Sequence, residues 1–326
     1  MLALVQIASA QNADKIRLIG VGTTSSLAVY SKWFQAFEKT RPDLNIIYIP
    51  SGSEAGIEMV VSGAADFGAT DAPLTEKGRT KGNVVQIATV LGAIVPIYNV
   101  PTAVRTLRFS AQALAGIYLG TITRWNDPAI SGSNPGVDLP PTSIAVIHSA
   151  EGRGATYIWS DYLSKVNVEW RTRIGRGMSI EWPVGKAADG NGNLARTVKE
   201  TPYSIGYVEL VYAVQNRLSY GQVQNAAGNF IAADPSSIAA AASATAAPSE
   251  FRASLTNCHG EKSYPISSFT WILVLEDMPS AAKRVAVKDF LRWALDEGQT
   301  YSEPAGFARL PKAIVEEELI AVENIH

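Results

Sequence analysis

Four short segments carry the residue types that can do chemistry, and the chemistry they share is the holding of an anion. Residues 148–157 read HSAEGRGATY, with Arg153 set between Gly152 and Gly154 just ahead of a helical pattern. Glycine lets a backbone turn tightly and come close to a ligand. A helix start adds unpaired N–H groups and the positive end of the dipole, so the pair makes a seat for an anion. GVGTTS (residues 20–25) and SGSEAG (51–56) put hydroxyls and glycines at two more helix starts. DFGATDAP (66–73) places Asp71 just past a short strand and two residues before Pro73. Taken singly, each has a plainer explanation: N-capping by Thr24, Ser25 or Ser53, a turn aspartate, or a loop Arg153 paired with Glu151.

The elements that must position these segments alternate along the chain. Strands are predicted over 15–20, 44–49 and 66–70, with helices over 25–39 and 54–62. The first helix shows its period in Leu27, Tyr30, Trp33, Phe34 and Phe37. The run 86–99 has room for more than one strand, or for one strand crossing between domains. Further on, helices are predicted over 110–119, 156–166, 193–200 and 281–296, and strands over 143–148, 205–208 and 264–275. Residues 131–141 and 185–192 read as loops rich in glycine. The alanine- and serine-rich stretch 231–247 reads as a low-complexity surface helix flanked by loop. Strand–helix alternation specifies an α/β fold with a mostly parallel sheet. All four segments then fall at carboxyl ends of strands, where open α/β sheets bind ligands.

Composition narrows the function. A chain of 326 residues exceeds one ordinary core, so two domains are expected. Its net charge of −2 supplies no basic field for nucleic acid. One cysteine, Cys258, excludes an intrachain disulfide and a multi-cysteine metal site. The three histidines, His148, His259 and His326, do not cluster, so neither a metal site nor a catalytic one is expected. The first loop is not a nucleotide motif: position 25 is serine, the second strand ends Ile49-Pro50-Ser51 without an acid, and no G-K-[ST] follows. The apolar start, ending Ala8-Ser9-Ala10, reads as the remnant of a secretory signal peptide over residues 1–13.

The motifs GVGTTSSLAVYSKW, DFGATDAPL, GIYLGTITRWNDPAI, YLSKVNVEW, SIGYVELVYA and YPISSFTWIL, in this order, resemble those of the periplasmic phosphate-binding proteins that serve ATP-driven importers. The resemblance runs from about Lys15 to about Ile320 and implies a two-domain flytrap (type II) fold with two hinge strands. It implies a discontinuous first domain of residues 14–93 and 269–326, and a second of 94–268. It also implies phosphate in the cleft, a membrane permease as partner, a monomer in the periplasm, and neither catalysis nor a cofactor.

Carried over residue by residue, the resemblance assigns ligand roles to Thr24, Ser25, Ser53 and Asp71, with Ser25 giving mainly its N–H. Asp71 has a physical logic of its own. A carboxylate only accepts hydrogen bonds, so it suits the proton of monohydrogen phosphate and opposes fully ionised sulfate. The opening segment departs from the family's R-(A/S)-D-G-S-G-T. Ser149 stands for the arginine, Glu151 for the aspartate, Arg153 for the serine and Ala155 for the threonine. Two readings follow. Arg153, steadied by Glu151, enters the cleft beside the N–H groups of Gly154 and Ala155; or Arg153 faces solvent, and the ligand becomes another phosphorus oxyanion such as a phosphonate or phosphate ester. A phosphatase finds no support, since no metal cluster or nucleophile–base pair is present.

Overall fold

The computed structural model describes residues 15–74, 83–103, 105–150, 152–244 and 254–326. The expected signal remnant, Glu151 and the end of the alanine-rich stretch lie outside them. The chain opens with β1 (Ile16–Gly22), α1 (Leu27–Thr40), β2 (Leu44–Pro50), α2 (Ser53–Val61) and β3 (Phe67–Thr70). After β4 (Val84–Asn99) come β5 (Arg108–Phe109), α3 (Ala111–Leu119), α4 (Pro128–Ser131), β6 (Ala145–Ser149), α5 (Gly154–Val166) and α6 (Val168–Arg173). Next are β7 (Lys186–Ala188), α7 (Gly190–Glu200), β8 (Ser204–Glu209), α8 (Leu210–Gln215), β9 (Ser219–Tyr220), β10 (Gln222–Gln224) and β11 (Phe230–Ile231). The chain closes with α9 (Pro235–Ser243), β12 (Ser267–Leu275), α10 (Ala281–Leu295) and α11 (Lys312–Glu323).

Among the described residues, eight strands lie in the order β2-β1-β3-β12-β4-β8-β6-β7, with β9 also paired to β4. The strand β4 is a single crossing strand, almost wholly buried, as its unbroken apolar run requires. It pairs with β12 as far as Ala93↔Ser267 and with β8 from Ile94↔Glu209 onward. Because β3–β12, β12–β4 and β4–β8 are each antiparallel, β3 and β8 run in opposite senses. Their carboxyl ends therefore point at each other across the middle of the sheet, and the two α/β halves share a cleft there.

Each half has its own aromatic core. Trp33, Phe34 and Phe37 of α1 pack among Phe67 and Phe290, and Tyr30 stacks on Trp33, while Leu27, expected on the same face, is exposed. In the other half Tyr118, Trp159 and Tyr207 pack with Trp182, which also stacks on His148 at 4.8 Å. Full burial of each large apolar side chain contributes roughly 1.5–3 kcal/mol, so these clusters stabilise each half.

Three expectations change. The 185–192 loop contains β7 and the first turn of α7, because Gly190 supplies the left-handed residue (φ 75°) that opens this helix. The alanine-rich helix is short and half-buried: Asp234 and Ser237 form a capping box, and Ile238, Ala241 and Ala242 are buried. The helices α4, α6, α8 and α11 and the small sheet β11-β10-β5 have no counterpart in the sequence reading.

Candidate functional site: a hydroxyl-ringed carboxylate among uncapped helix starts

Asp71 follows β3 directly and is almost completely buried. Three hydroxyls donate to its carboxylate: Thr23, Ser25 at 2.9 and 3.0 Å, and Thr270 at 2.6 Å. Its N–H donates to Ser53 Oγ (3.2 Å), and Ser268 Oγ donates to its carbonyl (3.2 Å). Burial pushes the carboxyl above its ordinary pKa, and the Thr23, Thr270 and Ser25 hydroxyls oppose that shift. A carboxylate has about four acceptor positions. Three donors leave one position for a proton brought by a ligand.

Thr270 is aimed by a bulge. The β12–β4 register slips between Thr270↔Val90 and Trp271↔Ala88, leaving Thr89 unpaired. Such a bulge re-aims side chains beside a site. Thr89 is held in turn, donating to the Thr270 carbonyl (2.9 Å) and sharing a hydrogen bond with Tyr30 (2.7 Å).

Helix starts converge on this carboxylate without side-chain caps. No side chain caps α1 or α2, nor α5, α7 and α8 from the other half. The helix α2 comes this close to β1 and β3 only because of glycines: a Cβ on Gly56 would lie 2.7 Å from the Ala69 carbonyl oxygen and 2.8 Å from Gly22 Cα. The start of α5 reaches across the cleft. A Cβ on Gly154 would overlap Ser53 Oγ and lie 2.8 Å from Asp71 Cβ. The halves are closed on each other at this point, and only glycine fits.

Arg153, the residue before α5, lies between the halves. Its Nη2 donates to Asp189 Oδ1 at 2.5 Å, and its Nη1 is 3.2 Å from where a Gly52 Cβ would lie. Its Nε is buried without a partner. The guanidinium is thus in the cleft, and among the described residues its ion-pair partner is Asp189, while the expected pairing with Glu151 falls outside them. Further bonds span the cleft: Asn191 Nδ2 to Thr24 Oγ1 (3.1 Å), Tyr212 OH to the Thr24 carbonyl (3.2 Å) and the Glu54 N–H to the Gly152 carbonyl (3.4 Å).

Of the residues singled out from sequence, Ser25, Ser53, Asp71, Arg153 and Gly154 meet at one place, and Ala155 is buried in the first turn of α5 beside them. Two details go beyond the sequence reading. The hydroxyl on Asp71 is that of Thr23, while Thr24 turns to Asn191, because the loop folds Thr23 back onto β3 through its N–H to the Ala69 carbonyl (2.9 Å). Ser25 works through its hydroxyl, and its N–H donates to Thr23 Oγ1 (3.3 Å). Sequence reasoning missed Thr23, Thr270 and Asn191. Thr23 was signalled by the Thr-Thr pair; the others sit inside ordinary strand and loop patterns.

This fold, with a closing cleft between two α/β halves, defines a solute-binding protein, and comparison agrees. The PBP superfamily domain matches residues 8–297. The chain is 36% identical over 312 residues to the phosphate-binding protein PstS of Xylella fastidiosa (strain Temecula1 / ATCC 700964), covering 95% of this chain and 85% of that one. It belongs to the PstS phosphate-binding family of this superfamily. In fold it is similar to the phosphate binding protein of Stenotrophomonas maltophilia (16% identical, TM-score 0.72, covering 94% of this chain and 93% of that one). It is also similar to an ABC-type phosphate transport receptor from Vibrio cholerae (17% identical, TM-score 0.61, covering 90% and 100%).

Proposed function

We propose that this protein binds inorganic phosphate in the cleft and delivers it to the membrane permease of an ATP-driven phosphate importer. The observation that carries the reading is Asp71, a buried carboxylate ringed by three hydroxyl donors and faced by uncapped helix starts. Hydroxyls and helix N–H groups donate to the oxyanion's bare oxygens, while Asp71 accepts from its P–OH. The ligand set is Thr24, Ser25, Ser53, Asp71, Arg153, Gly154 and Ala155, with Thr23 and Thr270 holding Asp71. The names of the relatives support phosphate as the ligand and transport as the role. The relatives named above are named for phosphate, which does not favour the phosphonate or phosphate-ester alternative.

The domain boundaries follow from the same reading: residues 14–93 and 269–326 form one domain and 94–268 the other, supported by the change of β4's partner at Ala93/Ile94. The protein acts as a periplasmic monomer without a cofactor and performs no catalysis. The apolar start ending Ala8-Ser9-Ala10 supports export.

Calorimetric titration of phosphate and sulfate into wild type and Asp71→Asn tests the assignment. Wild type is expected to bind phosphate and reject sulfate. The variant replaces an acceptor with a group that also donates, so its phosphate affinity falls and its rejection of sulfate relaxes. Equal selectivity in both proteins would remove Asp71 from the site.

A further inference from the structure

Glu209 is a second buried carboxyl at the cleft, and nothing described so far uses it. It is the last residue of β8 and the N-cap of α8, only 6% exposed. Its Oε2 is buried without a hydrogen-bond partner. Since β8 and β3 point at each other, Glu209 and Asp71 end opposed strands on either side of one cleft. The groups around Glu209 are Asp71 beyond β3, Arg153 before α5, Asn191 on α7, Tyr212 on α8, and Tyr207 on its own strand.

Two ionised carboxylates flanking a doubly charged oxyanion would repel it and each other in a dry site. One carboxylate can be spared only by carrying a proton. Asp71 has three hydroxyls donating to it and fits the ionised form. Glu209 has an oxygen with nothing donating to it, which fits the form that carries the hydrogen. We propose that Glu209 is a further ligand-binding and specificity residue, acting as a neutral acid that donates a hydrogen bond to an oxygen of the bound anion. It replaces a donor lost where Ala155 stands for a threonine. The inference rests on the phosphate reading and deepens it.

Burial, with the Asp71 charge second, raises the carboxyl from 4.5 to about 8, against the pull of Asn191 and Arg153. The bound anion raises it further, so binding draws in a proton and weakens as pH climbs past that value. The limiting slope is about tenfold per pH unit. Ionisation of Asp71 has the opposite sign, since it improves the acceptor. Tyr207 and Tyr212 are raised above the usual tyrosine range and titrate later.

The test is phosphate titration from about pH 7 to 9.5, in buffers of different ionisation enthalpy, on wild type and Glu209→Gln. Glutamine keeps the shape and a donor and removes the ionisation. Wild type is expected to lose at least about tenfold in affinity over this range and to take up protons on binding. Glu209→Gln is expected to vary by less than about threefold and to take up none. Phosphate binding that is flat with pH in wild type, or falls equally in both proteins, overturns the role of Glu209 and leaves the phosphate site standing. If wild type binds no phosphate even at pH 7, the phosphate reading fails and this inference goes with it.

Discussion

The helices of this protein begin in two different ways. Away from the cleft, side chains close the first turn: Ser110 on α3, Asp127 on α4, Asn167 on α6, Asp234 on α9 and Ser280 on α10 each accept from a backbone N–H. At the cleft, α1, α2, α5, α7 and α8 begin without such a cap. The helix α11, which follows Pro311, is also uncapped, and proline has no side-chain acceptor to offer. A missing cap forfeits about 1 kcal/mol, so the five starts at the cleft leave first-turn N–H groups without side-chain acceptors, although the Glu54 N–H of α2 donates to the Gly152 carbonyl (3.4 Å). Folding stability is given up there and recovered when an anion arrives. The same hydroxyl residues serve both regions. At Ser110 the hydroxyl turns back on its own helix, whereas Ser25 turns to Asp71 and Ser53 Oγ takes the Asp71 N–H.

The sharpest way to break this contrast is to keep the halves apart. Gly154→Val places atoms where Ser53 and Asp71 already lie. Overpacking of this kind costs roughly 1–3 kcal/mol or more, and here it falls on closure. Phosphate affinity is expected to drop by about a hundredfold or more with little change in melting temperature, read by calorimetry and thermal denaturation. Next in size, Arg153→Ala removes the guanidinium beside Gly52 and Asp189 and is expected to weaken binding by roughly 1.5–3 kcal/mol, the range for a charged hydrogen bond. Arg153→Lys should recover only part of this, since a point charge cannot reproduce the fork. The smallest effect comes from the capped region. Asp234→Ala opens the capping box of α9 and is expected to cost about 1 kcal/mol of stability, while phosphate affinity stays as it was. A fall in affinity there would mean that caps and ligand are not separate uses of helix starts.

Much of the first half was legible in the sequence. The period of α1 and the apolar runs of β2 and β4 announce themselves because each buries one face or both, although the run of β4 left open whether it held one strand or more. The anion seat was legible as a class, since glycine beside hydroxyl at a helix start has few other uses in such number. Individual assignments were harder. Whether Thr23 or Thr24 faces Asp71 depends on a loop hydrogen bond to the Ala69 carbonyl, which leaves no trace in residue type. Thr270 reaches Asp71 only because β4 carries an extra residue at Thr89, and a bulge inside an unbroken apolar run has no sequence mark. Asp189 and Asn191 were hidden in a glycine-rich stretch that reads as loop. Glu209 ends a strand pattern whose alternation gives no hint that its carboxyl is buried.

The central claim is that the uncapped starts are the ones that read the ligand. Residue-resolved amide hydrogen exchange, with and without phosphate, tests it directly. The account predicts that phosphate slows exchange at Ser53, Gly154 and Ala155 and leaves the capped amides of Ala113, Ser237 and Lys283 unchanged. Equal exchange at Ser53, Gly154 and Ala155 with and without phosphate would contradict it.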